Sequence, residues 1–377
     1  MEFSLTQEQQ AVQGLANRIF TEQSTHERLS EVEAGPGWDR ALWTQLAEAG
    51  LLGLFLPEAI GGAGLGLAEV GLLLEESGRA TAAIPLLALA VGALPLARFE
   101  AQRFEELLNA AAAGDRIVTA ALSDCAMGPP TETRSSAEPM GDHWQLNGSM
   151  ATIPWASIAD VVLVPAECPD GDVYLFAIET ALDGVEMMES PVYGGLSWGE
   201  VKLDDVRVPD VGRLADPRAV NWSWQASLVA ISSLQVGVAT GALDLTASYT
   251  AQREQFGRPI ATFQGVATRA ADAFIDTEIM TWTARQAAWR IDQDLASDVE
   301  AGVAKFWAAE GGHRVVSASQ HLHGGIGVDM DYPLHRHYLL ATQLDVVLGG
   351  SHRQLERIAQ ALASGSATAT TGTGNPC

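Results

Sequence analysis

The sequence predicts an α+β multidomain fold in which helices come first, a small all-β unit follows and long helices return. Apolar residues recur at helical spacing early in the chain, alternate at strand spacing in the middle, and recur at helical spacing again in the last part. With 377 residues, the chain is long enough for two or three compact units. We expect unit boundaries at 1–116, 117–215 and 216–362, followed by a polar, disordered tail over 363–377.

The first unit opens with a helix-start signal. Thr6, followed three residues later by Gln9, is typical of a capping box. The residues that then share one helical face are Val12, Leu15, Ala16 and Ile19. A glycine-rich stretch at 57–70 does not match G-x-G-x-x-G and follows no strand, so it predicts a turn and not a phosphate-binding loop.

The middle of the chain has the alternation and turn signals of an all-β unit. Residues 142–153 are strand-like around Asn147-Gly148, a pair that favours a hairpin turn. Further short strands follow, the last of them over 200–209. Residues 195–199 match G-x-S-x-G, but a strand follows the serine where a nucleophile elbow requires a helix, which favours a simple turn.

The third unit consists of long helices. Two apolar faces are visible at helical spacing: Ile275, Ile279, Trp282 and Trp289 form one, and Val299, Val303, Phe306 and Trp307 form the other. Near the end of the unit the helical run stops at Gly349 and Gly350 and then resumes.

Composition excludes several classes of protein. The net charge of −25 argues against nucleic acid or an anionic membrane as a partner, because both attract clustered Lys and Arg. The three cysteines, Cys125, Cys168 and Cys377, are scattered and odd in number, which excludes a disulfide framework and a cysteine zinc site. The first residues show no signal-peptide pattern. We therefore expect a soluble cytoplasmic protein.

Four histidines lie close together in the sequence, at His321, His323, His335 and His337. They lack the ligand spacing of a zinc enzyme, so we expect no metal site. Hydrogen bonding to an anion or to neighbouring backbone is the interpretation that we favour for His321 and His323.

Residues 252–264 form the most informative stretch. Arg253 and Arg258 flank an aromatic residue and a glycine, and Pro259 then ends the helical pattern before a new helix begins. A corner that carries guanidinium groups, amides and an exposed Phe suits a pyrophosphate attached to a planar ring. On the residues alone, an ordinary surface helix end with Arg and Glu would look the same.

Three further stretches add weight to this corner: residues 320–338, residues 56–70 and residues 203–209. Together they resemble the acyl-CoA dehydrogenase family, over roughly residues 1–362. The resemblance implies an N-terminal α-helical domain, a middle β-barrel-like domain and a C-terminal four-helix-bundle domain, assembled as a tetramer. It also implies α,β-dehydrogenation of an acyl-CoA thioester, in which a Glu removes the α-proton and FAD takes the β-hydride, with electron-transfer flavoprotein as the acceptor.

In this family the FAD lies across a dimer interface, where an R-x-x-F-G corner and a Q-x-x-G-G motif reach the neighbouring chain's FAD. The resemblance therefore assigns FAD binding to Arg253, Gln255, Phe256, Gln264, Gln320, His323, Gly324 and Gly325. These residues imply that the chain helps to hold an FAD that belongs to its partner.

The positions that serve a chain's own flavin and substrate depart from the family pattern. The loop over the flavin keeps Ser123 but has Pro129 where a hydroxyl is usual. The strand that covers the flavin ring reads Thr152–Pro154, and a Pro there removes a backbone donor. The D-x-x-R pair that faces the acyl-CoA falls on Gln225 and Leu228, which carry no charge.

The catalytic Glu is also missing. Its two usual positions fall on Gly349 and Ser227, and no acid occurs between Asp216 and Asp244. Removal of the α-proton needs a positioned base, which neither Gly nor Ser supplies. The nearby titratable substitute is His352.

This combination resembles the non-catalytic subunits of actinobacterial α₂β₂ acyl-CoA dehydrogenases that shorten steroid side chains in cholesterol catabolism. The resulting hypothesis is a subunit of an FAD-dependent enzyme whose homologous partner carries the Glu and which acts on a bulky, steroid-derived acyl-CoA. Two alternatives stay open: a self-sufficient homotetramer that uses His352 or another base, and a non-enzymatic scaffold with the same fold.

Overall fold

The computed structural model describes residues 4–121, 123, 133–190 and 195–363. Its first part is helical, as predicted, and the helices are α1 (Gln7–Gln23), α2 (His26–Ala34), α3 (Arg40–Glu48), α4 (Leu67–Arg79), α5 (Leu86–Glu100) and α6 (Glu105–Ala112). The predicted capping box starts α1: the Gln9 N–H donates to the Thr6 hydroxyl at 3.1 Å, and the Thr6 N–H donates to the Gln9 side chain at 3.0 Å.

The glycine-rich stretch before α4 is a tight turn, as predicted. A Cβ on Gly62 would lie 2.0 Å from the carbonyl oxygen of Leu56, so only glycine fits there. The start of α4 is capped by a distant residue, because the Asp292 carboxylate accepts from the N–H groups of Leu67 at 2.8 Å and Ala68 at 2.9 Å. Burial raises the pKa of this carboxyl to about 6.

One seven-stranded sheet makes up the middle of the chain. Its strands are β1 (Val118–Ala120), β2 (Ser136–Pro139), β3 (His143–Pro154), β4 (Val161–Glu167), β5 (Val173–Glu179), β6 (Val185–Ser190) and β7 (Trp198–Pro209). The order is β1-β4-β2-β3-β7-β6, and β5 pairs with β4. All pairs are antiparallel except β1 with β4 and β2 with β4. Side chains of alternate strand positions, such as Phe176 and Val206, form a separate core under the sheet.

The predicted hairpin turn at Asn147-Gly148 is wrong. Both residues lie inside β3, where the register against β7 shifts between Leu146 and Gly148. Gly148 has a φ of 141°, and a Cβ there would lie 2.6 Å from the Cα of Ser135. The pair thus marks a bulge and a close backbone approach, two other uses of glycine in a strand.

The last part is helical and contains α7 (Arg218–Gln252), α8 (Gln264–Asp292), α9 (Asp298–His323), α10 (Leu334–Val346) and α11 (Ser351–Ala363). Two short strands, β8 (Glu254–Gln255) and β9 (Arg258–Pro259), join α7 to α8. Helix α7 is long and apolar enough to cross a membrane, but 89% of its most apolar window is buried by neighbouring elements. The predicted pause in the helical run is the turn 347–350, which divides the end of the domain into α10 and α11.

Part of the apolar face predicted on α8 points away from the core of the chain, while Ile279 and Trp289 of the same face are half-buried. Ile275 is 54% exposed and Trp282 is 38% exposed, and Phe274 beside them is 56% exposed. The inward side of α8 instead carries small residues, including Ala284 and Ala288, which are nearly fully buried. Large apolar side chains on an outer helix face are typical of a surface that another chain covers.

Candidate functional site

The corner between α7 and α8 presents an aromatic ring to solvent. The turn between β8 and β9 consists of Phe256, with a φ of 54°, and Gly257, with a φ of 74°. A positive φ is uncommon for a bulky residue, and such strain is often found at functional positions. The Phe256 side chain is 95% exposed and meets Phe263 edge-to-face at 6.3 Å, while the Arg258 guanidinium lies 4.4 Å from the Phe263 ring centre.

Arg253 is held at this corner by its backbone. Its N–H donates to the carbonyl of Tyr249 at 2.8 Å, and its carbonyl accepts from the N–H of Ile260 at 2.8 Å. Its side chain is exposed, and among the described residues its guanidinium has no ion-pair partner. Gln255 is also exposed, but its amide donates to the carbonyl of Glu254. The Arg253 guanidinium is therefore free to bind an anion from outside the chain.

The first turn of α8 adds backbone donors beside this corner. Gln264 is the first residue of the helix, and no side chain caps the helix start at Phe263. The first N–H groups of a helix have no intrahelical partner, and the helix dipole favours an anion there. Gln264 is exposed, so a ligand can approach this end.

The first residue of the Q-x-x-G-G motif has to be reassigned. Gln320 stands four residues before Gly324, whereas the spacing Q-x-x-G-G places its first residue three before, at His321. In the structure Gln320 is half-buried and His321 is exposed near the end of α9. Gly324 and Gly325 follow in an exposed turn, and Gly324 has a φ of 65°. His321, and not Gln320, is thus the side chain at the first position of the motif.

His323 does not face outward as a cofactor contact would. It is 4% exposed, with Nδ1 at 2.7 Å from the carbonyl oxygen of Ser319 and Nε2 at 3.0 Å from the hydroxyl of Tyr332. Because a carbonyl only accepts, Nδ1 carries the proton and Nε2 accepts from the tyrosine. Burial lowers the pKa of the ring, which favours this neutral form. Both ring nitrogens are therefore used inside the chain.

The structure brings the two motifs to one end of the helical domain. The ring of Tyr249, in the last turns of α7, stacks on the ring of His323 with centres 4.5 Å apart. Arg253 follows Tyr249 by four residues, and Gly324 follows His323 directly. The corner and the glycine turn are therefore neighbours in space.

Position 349 lies in a turn held by buried donors. Gly349 has a φ of 88°. The amide of Gln354, which is fully buried, donates to the carbonyls of Leu348 at 2.8 Å and Gly349 at 3.0 Å. The Arg357 guanidinium donates to the same Leu348 carbonyl at 2.9 Å and lies 4.7 Å from the ring centre of Trp224. The Arg357 guanidinium therefore lies beside the position to which the resemblance assigned the catalytic Glu.

The other base position is equally unable to take a proton. Ser227 is 2% exposed, and its hydroxyl donates to the carbonyl of Ser223 at 2.7 Å, within its own helix. Asp244, further along α7, is half-exposed and forms an ion pair with Arg79 at 2.6 Å. The alternative base His352 lies on the outer side of α11, with its side chain 87% exposed and Nε2 at 3.3 Å from Glu356. None of these three side chains is a buried carboxylate or imidazole: Ser227 is a hydroxyl, and Asp244 and His352 are exposed.

The positions expected to face acyl-CoA are used within the chain. Gln225 is 7% exposed; its amide donates to Asp298 at 2.5 Å and its carbonyl accepts from the hydroxyl of Ser297 at 2.6 Å. Leu228 is 3% exposed and packs in the main core. Gln225 therefore ties α7 to the start of α9, and Leu228 contributes to the core.

The strand that would cover a flavin of this chain is distorted. Thr152 and Trp155 both have positive φ values, 60° and 57°. The Ser123 hydroxyl donates to the Thr152 hydroxyl at 3.1 Å, and the Pro154 carbonyl accepts from Thr119. Pro129 lies outside the described residues. The hydroxyls of Ser123 and Thr152 are therefore hydrogen-bonded to each other.

Lys305 is hydrogen-bonded to the last turn of α10, just before the turn at 347–350. It is fully buried, and its amine donates to the backbone carbonyl of Asp345 at 2.9 Å. Burial lowers the pKa of the amine to about 7, although the carboxyl of Asp345 opposes this and Arg357 adds to it. The amine is a structural donor that is close to losing its charge at neutral pH.

We expect Lys305→Met to remove a pH dependence of stability. Between pH 7 and 10.5 the unfolded chain binds a proton that the folded chain does not, so the free energy of unfolding of the native protein rises with pH in this window. The slope is at most about 1.4 kcal/mol per pH unit. Urea unfolding at several pH values measures it. The control is Lys202→Met, which changes the other lysine of the chain; Lys202 is exposed, so this variant should keep the pH dependence of the native protein. If Lys305→Met also kept the native pH dependence, the buried amine would not be neutral in the folded protein.

Comparisons with known proteins agree with this architecture. Residues 6–115 match the family described as "Acyl-CoA dehydrogenase, N-terminal domain", and residues 220–363 match "Acyl-CoA dehydrogenase, C-terminal domain". The acyl-CoA dehydrogenase FadE27 of Mycobacterium tuberculosis is 37% identical over 376 residues, covering 96% of this chain and 99% of that protein. FadE28 of the same organism is 32% identical, covering 94% of this chain and 97% of that protein.

Two solved structures are similar along nearly the whole chain. A variant of the Tcur3481-Tcur3483 steroid ACAD has a TM-score of 0.89 at 42% identity, and the ChsE4-ChsE5 complex from Mycobacterium tuberculosis has a TM-score of 0.90 at 36% identity. In both cases the match covers 96% of this chain and 99% of the other chain. On these grounds the chain belongs to the acyl-CoA dehydrogenase family, whose enzymes are oxidoreductases that act on CH–CH bonds.

Proposed function

We propose that this chain is the non-catalytic subunit of a heteromeric, FAD-dependent acyl-CoA dehydrogenase in the cytoplasm. Its role is to help bind the FAD of a homologous partner subunit, and that partner also supplies the catalytic Glu. The observation that carries the proposal is a contrast within one molecule. The corner with Arg253 and Phe256 is exposed, and the Arg253 guanidinium has no ion-pair partner among the described residues, whereas positions 227 and 349 have no base and are closed by internal hydrogen bonds.

The exposed end of the helical domain fits the chemistry of FAD. Arg253 and the uncapped start of α8 offer donors for a pyrophosphate, and Phe256 offers a face to a planar ring. Gln264 and the side chain at His321 can add hydrogen bonds, and the exposed Gly324-Gly325 turn allows close approach of backbone. When bound, FAD supplies the hydride acceptor, and electron-transfer flavoprotein would reoxidise it.

A partner chain is supported by the surface and by the relatives. The outer face of α8 exposes Phe274, Ile275 and Trp282, which a neighbouring subunit would bury. One similar structure is named as a complex, ChsE4-ChsE5, and another as a steroid ACAD. We infer a heterotetramer with two subunits of each kind and a bulky, steroid-derived acyl-CoA as substrate, as in cholesterol catabolism.

The test is the visible flavin spectrum of the protein purified alone and after co-expression with acyl-CoA dehydrogenases that keep the Glu. We expect a colourless protein alone and a yellow, active complex with one partner. Full FAD content and turnover in the chain alone would instead support a self-sufficient enzyme. A partner complex that forms without flavin would support a scaffold. Either of these results overturns the proposal.

A further inference from the structure

Three aromatic rings from separate parts of the chain meet behind the exposed corner. Tyr249 of α7 stacks on His323 of α9 with ring planes 19° apart. Tyr332, just before α10, lies 5.2 Å from the His323 ring centre and 6.4 Å from that of Tyr249. We call these residues the aromatic stack. His323 lies at its centre and is almost inaccessible to solvent.

Two members of the aromatic stack, Tyr249 and His323, are each joined to one of the two proposed FAD contacts. The Tyr249 carbonyl accepts the N–H of Arg253, so movement of this last turn of α7 moves Arg253. His323 is the residue before Gly324, so the position of its ring sets where the glycine turn begins. The stacked rings of Tyr249 and His323 thus connect the backbone at Arg253 with the backbone at Gly324.

Hydrogen bonds fix the orientation of the central ring. A flip of His323 would break its bonds to Ser319 and Tyr332 together. The Tyr332 carbonyl also accepts from Nδ1 of His335, in the first turn of α10. The ring is therefore held in one tautomer and one rotamer, which is more than packing alone requires.

From this geometry we infer that the aromatic stack is a positioning cluster that sets the separation between Arg253 and the Gly324-Gly325 turn, so that both reach one FAD at the subunit interface. The inference rests on the proposed function. The stack acts through Arg253 and Gly324 and does not itself need to contact the flavin. Hydrogen bonds weaken steeply with distance and angle, so a small shift of either contact releases the cofactor faster.

The experiment measures the FAD dissociation rate of the assembled complex after dilution, by recovery of flavin fluorescence. Tyr249→Leu should accelerate release about tenfold because a charge-assisted contact is misplaced. Tyr249→Phe keeps the ring and should stay within about twofold of the native rate. Tyr332→Phe removes only the hydroxyl that His323 accepts from; it is the variant to use if Tyr249→Leu does not assemble, and its release should be about threefold faster.

A double variant separates positioning from a general loss of structure. If the aromatic stack acts through Arg253, Tyr249→Leu adds little to the faster release already caused by Arg253→Ala. The inference is overturned if the two changes accelerate FAD release additively, or if all variants of the aromatic stack release FAD at the native rate. In either case, faster release from Arg253→Ala would still support the proposed function. Native release in Arg253→Ala as well would overturn the proposed function itself.

Discussion

Replacing Arg253 by alanine is expected to strip FAD from the co-purified complex. The exposed guanidinium has no ion-pair partner among the described residues, so its loss leaves the fold of this chain intact. A charge-assisted hydrogen bond contributes on the order of 1.5–3 kcal/mol, which corresponds to about a 10- to 100-fold loss of FAD affinity. Flavin absorbance per tetramer after gel filtration measures the effect.

The matched control is Arg207→Ala. Arg207 is an exposed arginine on β7, in the sheet domain, so this change removes the same charge away from the corner. FAD content should stay at the native level. Arg253→Lys should recover only part of the affinity, because an ammonium group cannot form the planar pair of bonds that a guanidinium offers to a phosphate. Equal flavin retention in Arg253→Ala and Arg207→Ala would remove the main support for binding across the interface.

Gly349→Glu is expected to restore no dehydrogenase activity and to destabilise the chain. At a φ of 88° a residue with a Cβ is strained, and that Cβ would lie 2.9 Å from the Cβ of Arg353. We expect the free energy of unfolding to fall by about 1–3 kcal/mol. The nearby Arg357 guanidinium would also hold a carboxylate in its ionised form with a low pKa, which makes a weak base.

Two alanine variants isolate the backbone part of this effect. Gly350 does not have a positive φ, and a Cβ there would meet only Asp345, with the carboxylate at 3.4 Å and the backbone carbonyl oxygen at 3.7 Å. Urea unfolding should therefore show Gly349→Ala destabilised and Gly350→Ala close to the native protein. Turnover of an acyl-CoA by Gly349→Glu in the absence of a partner would show that only the carboxylate was lacking, and the subunit proposal would then fail.

Several elements follow from residues that are close in the sequence. Thr6 and Gln9 start α1 because the capping bonds span three residues. The corner after α7 follows from Arg253, Pro259 and their neighbours, and the absence of an acid at positions 227 and 349 can be counted directly. The Asn147-Gly148 pair shows where this reasoning stops, since a positive φ serves a hairpin turn and a strand bulge equally well.

The sequence by itself therefore determined the order of helical and β units, the corner with Arg253 after α7 and the absence of an acid at positions 227 and 349. Only the tertiary structure decided that Ile275 and Trp282 on the apolar face of α8 are exposed, that His323 is buried, and that Lys305 donates to the last turn of α10. The physical reason is the range of the interactions. Capping, turns and helical periodicity act within a few residues, whereas burial and hydrogen bonding of these side chains depend on elements that the chain brings together from distant positions.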